Sequence, residues 1–471
     1  MSNMNSADPS NTSSKRRFPL TNNLSYMYQL YCSYILLFKN ANKSADFMSL
    51  TLLQQGLQKL VRTHYGPVGG WYEMHGDQID VVYSDHKVNE PPFTTQTLDI
   101  DYDELSKHVN ASNMELLVPD APAGIITEAS SKEMPMFIVK ATYLRSNSGM
   151  ALGVQYHHSL FDGATFWQFM NNWAYMCKTL HGAGLHPETV DIPYPPAFGF
   201  PSINEQPGDG DKKFEHTEYE LVDPKDCVKE FQAGHEGTKE IRLRLEVSDQ
   251  REIRAAARAA GVSFISMLSA MFWKELNRLR LAVKPTVGSE LSLYTCTVNP
   301  RAALGLPANL CGSPVLNVAS KKTVAEVAGF EVSELARLAQ QTINNGQSPE
   351  YMRSSVKFLL AQRAREIDDE RSGRQVTRKL ILVYIIPAAV KCTMSSSRTF
   401  PIYDTDFGFG SPAYVRPPYL PFDGCWRIWP TPKDTSSEST TVNEKPIEIY
   451  LTQPEYIDPL ESPLLRRFLL A

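Results

Sequence analysis

Residues 157–163 read His157-His158-Ser159-Leu160-Phe161-Asp162-Gly163, and this stretch decides the fold prediction. Before it, apolar side chains recur at every second residue from 150 to 156, which predicts a strand with one buried face. After it, apolar side chains recur every three to four residues from 166 to 180, which predicts an amphipathic helix. The stretch is therefore a strand-to-helix corner that carries two imidazoles and a carboxylate.

Several roles are open for the polar residues of this corner. An imidazole here can accept a proton near neutral pH, and His158 has the same parity as the buried face of the strand. His157 has the opposite parity, and we interpret it as structural. A single histidine more often completes a core hydrogen bond than performs chemistry. Asp162 can be the N-cap of the following helix, and the spacing does not show that it orients His158 as in a Ser-His-Asp triad.

Length and composition limit the possible functions. A chain of 471 residues is expected to form two or three domains, and its 42% apolar and 21% charged residues are typical of a soluble globular protein. The net charge of −5 makes nucleic acid or an anionic membrane surface an unsuitable partner. The apolar segment 30–38 is too short to span a bilayer, so no transmembrane segment is predicted.

The cysteines favour a reducing environment. Their number is odd and no C-x-x-C pair occurs, which predicts free thiols, no metal site and, without a signal-like N-terminus, a cytoplasmic location. Buried inert thiols are the preferred interpretation, although a cysteine nucleophile stays open. The seven positions are Cys32, Cys177, Cys227, Cys296, Cys311, Cys392 and Cys425.

The order of the predicted elements indicates an α/β fold in two lobes. We predict a disordered tail over 1–17, an N-terminal lobe over 18–195, a proline- and glycine-rich crossover linker over 196–218, and a C-terminal lobe over 219–471. In the first lobe, we expect helices at 47–63 and from 163 onward, with strands at 78–83, 136–144 and 150–156. In the second, we expect strands at 241–247, 380–386 and 446–453, with helices at 248–260, from 263 onward and at 324–344.

Two motifs together resemble those of the BAHD acyltransferases, a family of the chloramphenicol-acetyltransferase-like superfamily. His158-x-x-x-Asp162-Gly163 matches the H-x-x-x-D-G motif of the family. Asp406-Phe407-Gly408-Phe409-Gly410 matches its D-F-G-W-G motif, with Phe409 in place of tryptophan. Weaker similarities lie at 65–70, 263–280 and 298–312, so the resemblance covers nearly the whole chain, about 18–465.

The resemblance implies a fold, a reaction and a set of partners. It implies two lobes, each a mixed sheet flanked by helices, with a channel between them in which the histidine meets an acyl-coenzyme A from one side and an acceptor from the other. Acyl-coenzyme A is then a cosubstrate, the acceptor is a small molecule with a hydroxyl or an amine, and no tightly bound cofactor is needed. The chain is also expected to be monomeric. Asp162 is expected to point away from His158 and to pair with Arg301.

The expected chemistry needs one general base. His158 would take the proton of the acceptor during its attack on the thioester, so no acyl-enzyme is required. Gly163 would allow a tight turn at the corner. Phe409 lacks the indole N–H of the family tryptophan, which leaves a backbone N–H or the hydroxyl of Thr21 as the oxyanion donor. For 406–410 as a whole, a glycine-rich turn that braces the second lobe is favoured over direct catalysis.

Two other functions are compatible with the sequence. Condensation-type domains also use H-H-x-x-x-D-G, but they act on acyl groups held by carrier domains, and this chain has no carrier-like segment. A non-catalytic binding protein of the same fold is favoured only by Phe409. The residues that contact coenzyme A, the acyl group and the acceptor are not identified by the sequence.

Overall fold

The computed structural model describes residues 15–19, 31–75, 78–84, 88–108, 114–120, 134–183, 190–198, 214–222, 237–372, 379–382, 390–420, 422–432 and 445–470. The strands of these segments are β1 Lys15–Pro19, β2 Tyr31–Lys39, β3 Trp71–His75, β4 Gln78–Ser84, β5 Phe93–Leu98, β6 Phe137–Leu144, β7 Gly149–His157, β8 Tyr219–Val222, β9 Thr238–Leu245, β10 Leu291–Val298, β11 Leu316–Thr323, β12 Lys379–Leu382, β13 Val390–Ser396, β14 Tyr414–Arg416, β15 Cys425–Pro430 and β16 Ile447–Pro454.

The helices are α1 Leu50–Thr63, α2 Tyr102–His108, α3 Met114–Leu117, α4 Gly163–Ala183, α5 Val247–Ala260, α6 Phe264–Val283, α7 Val324–Gly329, α8 Val332–Gly346, α9 Pro349–Arg371 and α10 Pro463–Phe468. Short 3₁₀ turns include Gly66–Gly69, which follows α1, and Ile402–Asp404.

The first large sheet has the strand order β14-β2-β7-β6-β5, and β7 is its central strand. Only the β5–β6 pair is parallel, so the sheet is mixed. Both faces of β7 are covered, and all nine of its residues are buried. On one face, Tyr156 stacks on Phe166 of α4 with ring centroids 4.2 Å apart, which joins the strand to the helix that follows the corner.

The second large sheet has the strand order β11-β10-β13-β15-β16-β9. It is also mixed, because β13 runs parallel to both β10 and β15 while the other pairs are antiparallel. Helices α6 and α8 pack together against this sheet and bury Trp273, Leu276, Leu335 and Ala339. Two smaller pairings, β1-β4-β3 and β12-β8, complete the described sheets. The predicted α/β architecture of two lobes, each a mixed sheet with helices, is confirmed.

Side-chain caps explain where several helices begin. The Ser49 hydroxyl accepts a hydrogen bond from the Leu52 N–H, so α1 begins at residue 50 instead of 47. Thr323 and Glu326 form a capping box at the start of α7, as the predicted cap at Thr323 requires. The predicted helix over 324–344 is in fact two helices, because the chain turns at Phe330 and a second cap at Glu331 starts α8.

Two predicted boundaries differ from the structure. Strand β14 belongs by sequence to the lobe at 219–471, yet it pairs with β2 in the first sheet, where it covers an edge that would otherwise be open. Residues 15–17 were assigned to the tail by their polar composition, but they form part of β1 and pair with β4. Backbone pairing at a sheet edge does not need apolar side chains, so composition misplaces residues 15–17, whereas linear order misplaces β14.

Within the described residues, no single helix combines the length and apolar character that a membrane crossing requires. The bent pair α5–α6, with 99° between its helices, meets that test by length and composition only.

Candidate active site

Strand β7 ends at the boundary between the two lobes, and the histidine corner lies there. The strand ends at His157, residues 158–160 form a turn, and α4 begins at Gly163. Because β7 is the central strand and is buried on both faces, the end of the strand has little freedom to move. The predicted change from strand to helix at this corner is therefore what the structure shows.

Asp162 combines the helix-cap role that the sequence allows with the Arg301 pairing that the resemblance implies. One carboxylate oxygen, Oδ1, accepts hydrogen bonds from the Thr165 N–H at 3.0 Å and the Thr165 hydroxyl at 2.9 Å, which is the geometry of a helix N-cap. The other oxygen, Oδ2, accepts a hydrogen bond from Nη1 of Arg301. The side chains of Asp162 and Arg301 are only 5% and 4% exposed, so this ion pair is buried.

The Asp162–Arg301 pair is one of several hydrogen-bonded contacts that join the two lobes. The Asp162 N–H donates to the Gly312 carbonyl at 3.0 Å, and the Gly312 N–H donates back to the Leu160 carbonyl. Arg301 also donates from Nη2 to the Leu310 carbonyl at 2.8 Å. Gly312 has φ +107°, a conformation that glycine adopts readily and other residues rarely do. The loop of the second lobe is thus fixed directly against the corner of the first.

The next residue of that loop reaches the imidazole. Ser313 is fully buried, and its hydroxyl lies 3.3 Å from Nδ1 of His158. His158 is itself half-buried. Sequence reasoning did not find Ser313, although its position directly after Gly312 in the family-like loop was an available signal.

Cys32 is a second residue of this site that sequence reasoning missed. In the β2–β7 pair it lies opposite Tyr156, two residues before His158. Burial disfavours the imidazolium, but the Cys32 sulfur, the residue's own backbone carbonyl and the Asp162 carboxylate outweigh it. Together they raise the pKa of His158 from its ordinary 6.5 to about 9.

The side chain of His157 is packed among aromatic rings. It is fully buried, with its ring centroid 4.0 Å from that of Tyr31 and 5.0 Å from that of Tyr72. Its backbone N–H donates to the Met136 carbonyl at 3.0 Å. Its position inside an aromatic cluster agrees with the structural role expected from its parity.

The motif at 406–410 lies far from His158. Asp406 accepts a hydrogen bond from Lys178 near the end of α4, which is about 22 Å along the helix axis from Gly163 at 1.5 Å per residue. Its other oxygen accepts from the N–H groups of Gly408 and Gly410, both of which have positive φ. The motif is a turn that caps its own loop.

This turn braces the first lobe, which corrects the expectation that it braces the second. Phe407 is fully buried in the core of the first lobe, with its ring centroid 5.0 Å from Trp173. Phe409 packs edge-on against Phe47 at 5.4 Å. Because position 409 is remote from His158, the absence of an indole N–H there removes no donor from the site.

Two other predicted residues have different outcomes. Gly163 does not have a positive φ, so it is not needed for a tight turn. A Cβ atom at that position would lie 2.6 Å from the Phe400 ring, so close packing is the reason for glycine. Thr21, the suggested oxyanion donor, lies outside the described residues.

Among the described residues, we looked for a metal site and for a cavity near the corner at 157–163. Among the described residues, no three His, Cys, Asp or Glu side chains lie close enough to hold a metal ion. A cavity of about 600 Å³ lies against β11, α8 and α9 in the second lobe, with Phe214 and Tyr351 in its wall. None of its lining residues belongs to 157–163.

The chain is similar to known proteins in sequence and in fold. A family model described as the Transferase family matches residues 2–445. Rosmarinate synthase from Plectranthus scutellarioides is 24% identical over 409 residues, which are 85% of each chain. Acetyl-CoA-benzylalcohol acetyltransferase from Clarkia breweri is 23% identical over 432 residues, again 85% of each chain. A crystal structure of F. graminearum TRI101 with coenzyme A and T-2 mycotoxin has a TM-score of 0.69 at 16% identity and covers 97% of this chain and 99% of that chain.

The solved structure shows the fold, and the family model covers most of the sequence. The chain therefore belongs to the Transferase family, that of the BAHD acyltransferases, and is an acyltransferase of this type.

Proposed function

We propose that this acyltransferase moves an acyl group from a coenzyme A thioester to a hydroxyl or amine of a small molecule, with His158 as the general base. The observation that carries the proposal is the half-buried imidazole at the boundary of the two lobes, held by Ser313 at 3.3 Å. A relative named for acetyl-CoA and benzyl alcohol, and a structural neighbour crystallised with coenzyme A and T-2 mycotoxin, support this choice of donor and acceptor class.

The thioester is already an activated donor, so the acceptor is what needs activation. The neutral form of His158, which becomes more populated as the pH rises toward its pKa of about 9, takes the proton of the acceptor while the acceptor oxygen or nitrogen attacks the thioester carbon. The imidazolium then returns this proton to the departing thiolate of coenzyme A. Transfer within such a ternary complex needs no covalent acyl-enzyme. General base catalysis of this kind contributes about 10²–10⁴ in rate.

The Asp162–Arg301 pair has a positioning role in this proposal. Both oxygens of Asp162 are engaged, by Thr165 and by Arg301, so the carboxylate fixes the corner and does not hydrogen-bond the imidazole. The six described cysteines are all free thiols, which supports a reducing location such as the cytoplasm.

The test is release of coenzyme A from a panel of acyl-coenzyme A donors, with and without alcohol and amine acceptors. His158→Ala should lower acceptor-dependent release by about 10²–10⁴. The matched control is His181→Ala, because His181 is an exposed histidine near the far end of α4. Circular dichroism should show that both variants are folded.

Two results would contradict the proposal. Folded His158→Ala with the rate of the unmodified enzyme would exclude His158 as the base. Binding of acyl-coenzyme A without turnover of any acceptor would favour a binding protein of the same fold.

A further inference from the structure

The cavity of about 600 Å³ in the second lobe is not used by the proposed reaction. Its walls are the segment 214–217 that leads into β8, residues 318–320 of β11, the C-terminal half of α8 and the first turn of α9. Neither the corner at 157–163 nor Ser313 contributes to its lining. Cavities of about 300–1,000 Å³ are typical of small-molecule sites, so this one is large enough to hold a ligand of its own.

A buried hydrogen-bonded network fixes one wall of this cavity. The Tyr351 hydroxyl of α9 donates to Oε2 of Glu218 at 2.6 Å, and Oε1 of Glu218 lies 3.1 Å from Nδ1 of His216. Nε2 of His216 lies 2.9 Å from the hydroxyl of Ser354, which is also on α9. The side chains of His216 and Glu218 are 3% and 0% exposed. Because residues 214–218 are attached to α9 in this way, the wall that they form is a fixed part of the lobe.

Two aromatic rings form an apolar side of the cavity. Phe214 and Tyr351 both line it, and their ring centroids lie 5.4 Å apart with an interplanar angle of 74°. The Tyr351 hydroxyl is engaged by Glu218, so the ring is the part of this side chain that remains for a ligand. Val318 and Leu338 extend the apolar surface. A ligand that fits here has a face of C–H groups that packs on aromatic and aliphatic carbon.

Neutral hydrogen-bonding groups make up the polar part of the lining. Three carboxamides come from α8, those of Gln341, Asn344 and Asn345, and all three residues are exposed. Thr217 and Ser348 add hydroxyl groups. A carboxamide has both donors and an acceptor, and a hydroxyl of a ligand is likewise both donor and acceptor. The lining is therefore matched to a ligand that carries several hydroxyls.

The charge of the lining disfavours anions. Among the described residues that line the cavity, Glu215 carries the one formal charge, and neither Lys nor Arg occurs. The negative end of α8 and the positive end of α9 both meet the cavity, so their dipoles oppose each other. Phosphates and carboxylates are typically bound by arginine or lysine, so the diphosphate of coenzyme A does not match this lining. Glu215 is exposed, and a single exposed carboxylate holds an organic cation only weakly.

We propose that this cavity binds a neutral polyhydroxylated ring, which is a sugar or the sugar unit of a glycoside. The hydroxyls of the ring bond to the carboxamides of α8, and its face of C–H groups packs on Phe214 and Tyr351. The inference goes beyond the proposed acyl transfer and does not depend on it, because no residue of the proposed mechanism lines the cavity.

The experiment is saturation-transfer difference NMR with the full chain and a panel of neutral probes. The probes are the methyl glycosides of glucose, galactose, mannose and xylose, together with sucrose. At least one should bind with a dissociation constant of about 1 mM or below, and one face of its ring should receive most of the saturation. Glucose 6-phosphate and putrescine, the charged comparisons, should bind more weakly than that probe. Free coenzyme A should not displace it.

Variants test whether the sugar lies in this cavity. Asn345→Ala and Gln341→Ala each remove a hydrogen-bonding group and should each raise the dissociation constant by about 2- to 10-fold. Phe214→Ala removes one aromatic contact and should raise it by a similar factor. Gln347→Ala is the matched control, because Gln347 is an exposed carboxamide that follows α8 but does not line the cavity, and its affinity should be unchanged. Every variant should retain the far-ultraviolet circular dichroism spectrum and the acceptor-dependent coenzyme A release of the unmodified chain.

Several results would overturn the sugar-site proposal. One is the absence of saturation transfer to every neutral probe, and another is tighter binding of glucose 6-phosphate or putrescine. Displacement of the neutral probe by coenzyme A would assign the cavity to the acyl donor instead. Equal affinity in the unmodified chain, Asn345→Ala and Gln341→Ala would place the sugar elsewhere on the molecule. Acyl transfer by His158 is compatible with each of these results, so the two proposals fail separately.

Discussion

The buried Asp162–Arg301 pair offers a quantitative test of how the corner is held. Asp162→Asn keeps an oxygen that can accept from the Thr165 N–H, so the helix cap survives, but it removes the negative charge that Arg301 faces. The side chains are 5% and 4% exposed, so water cannot replace the lost partner. Leaving one charge of a buried pair uncompensated typically costs about 3–5 kcal/mol. We expect Asp162→Asn to lower the free energy of unfolding by about this amount.

Removing the positive charge of the pair should lower the free energy of unfolding by less than removing the negative charge. Arg301→Met leaves the Asp162 carboxylate with two hydrogen bonds from Thr165, at 3.0 Å and 2.9 Å, so the loss should lie near the lower end, about 3 kcal/mol. Changing both residues removes both charges, and replacing a whole buried pair by uncharged groups is often close to neutral. The double variant should therefore be more stable than either single variant.

Urea unfolding followed by tryptophan fluorescence and far-ultraviolet circular dichroism measures these differences. A chain with two lobes can unfold in more than one step, so only transitions on which both probes agree are compared. A loss below about 1 kcal/mol in Asp162→Asn would refute the reasoning, because that is the range of exposed pairs. Additive losses in the double variant would refute it as well, since coupling between the two charges is what the structure implies.

Three further predictions concern other parts of the molecule. Cys32→Ala removes two of the causes that raise the pKa of the His158 imidazole and leaves the effect of burial. If His158 is the proposed base, the rising limb of kcat/KM against pH should move to lower pH; an unchanged limb would contradict this. Asp406→Ala should lower the free energy of unfolding by about 1–2 kcal/mol, and Lys178→Ala by less than about 1 kcal/mol, with little change in kcat/KM in folded protein. A fragment of residues 1–198 should fail to fold, because it lacks β14 and the core side chains from the second half; a cooperative unfolding transition of that fragment would show otherwise.

The corner was predictable because its signals are local. The alternation before His157 and the helical spacing after Gly163 report contacts within a few residues, and the structure has β7 and α4 in those places. The pairing of Asp162 with Arg301 was expected only from the family resemblance, and the structure contains that contact. Local periodicity carried no information about it.

The rest of the site depends on contacts between residues distant in sequence. Cys32 lies opposite Tyr156, two residues before His158, because β2 pairs with β7 in one register, and that register joins residues more than a hundred positions apart. A shift of one residue would turn the thiol to the other face of the sheet. Ser313 lies beside the imidazole because the hydrogen bonds of Gly312 hold its loop against the corner. Such geometry cannot be read from spacing along the chain.

The core of the first lobe is built from both halves of the sequence, which explains why linear order places the motif at 406–410 in the wrong lobe. The core of the first lobe contains side chains from the second half of the sequence, including Phe407, Val415 and Trp429. Linear order placed these residues in the C-terminal lobe, but β14 carries the chain back to β2. The burial of these apolar side chains is a large contribution that neither half has alone.

The polar contacts between the two lobes also determine the geometry of the site. A buried ion pair often adds little net stability compared with apolar residues of the same volume, so stability alone does not account for Asp162 and Arg301. Their hydrogen bonds are directional, however, and together with the backbone bonds of Gly312 they fix the loop at one position against the corner. Ser313 follows that loop directly, so the same bonds set its 3.3 Å contact with His158. Apolar packing could join the lobes equally firmly, but it would not specify the orientation of the imidazole to this degree, and orientation is what a general base needs.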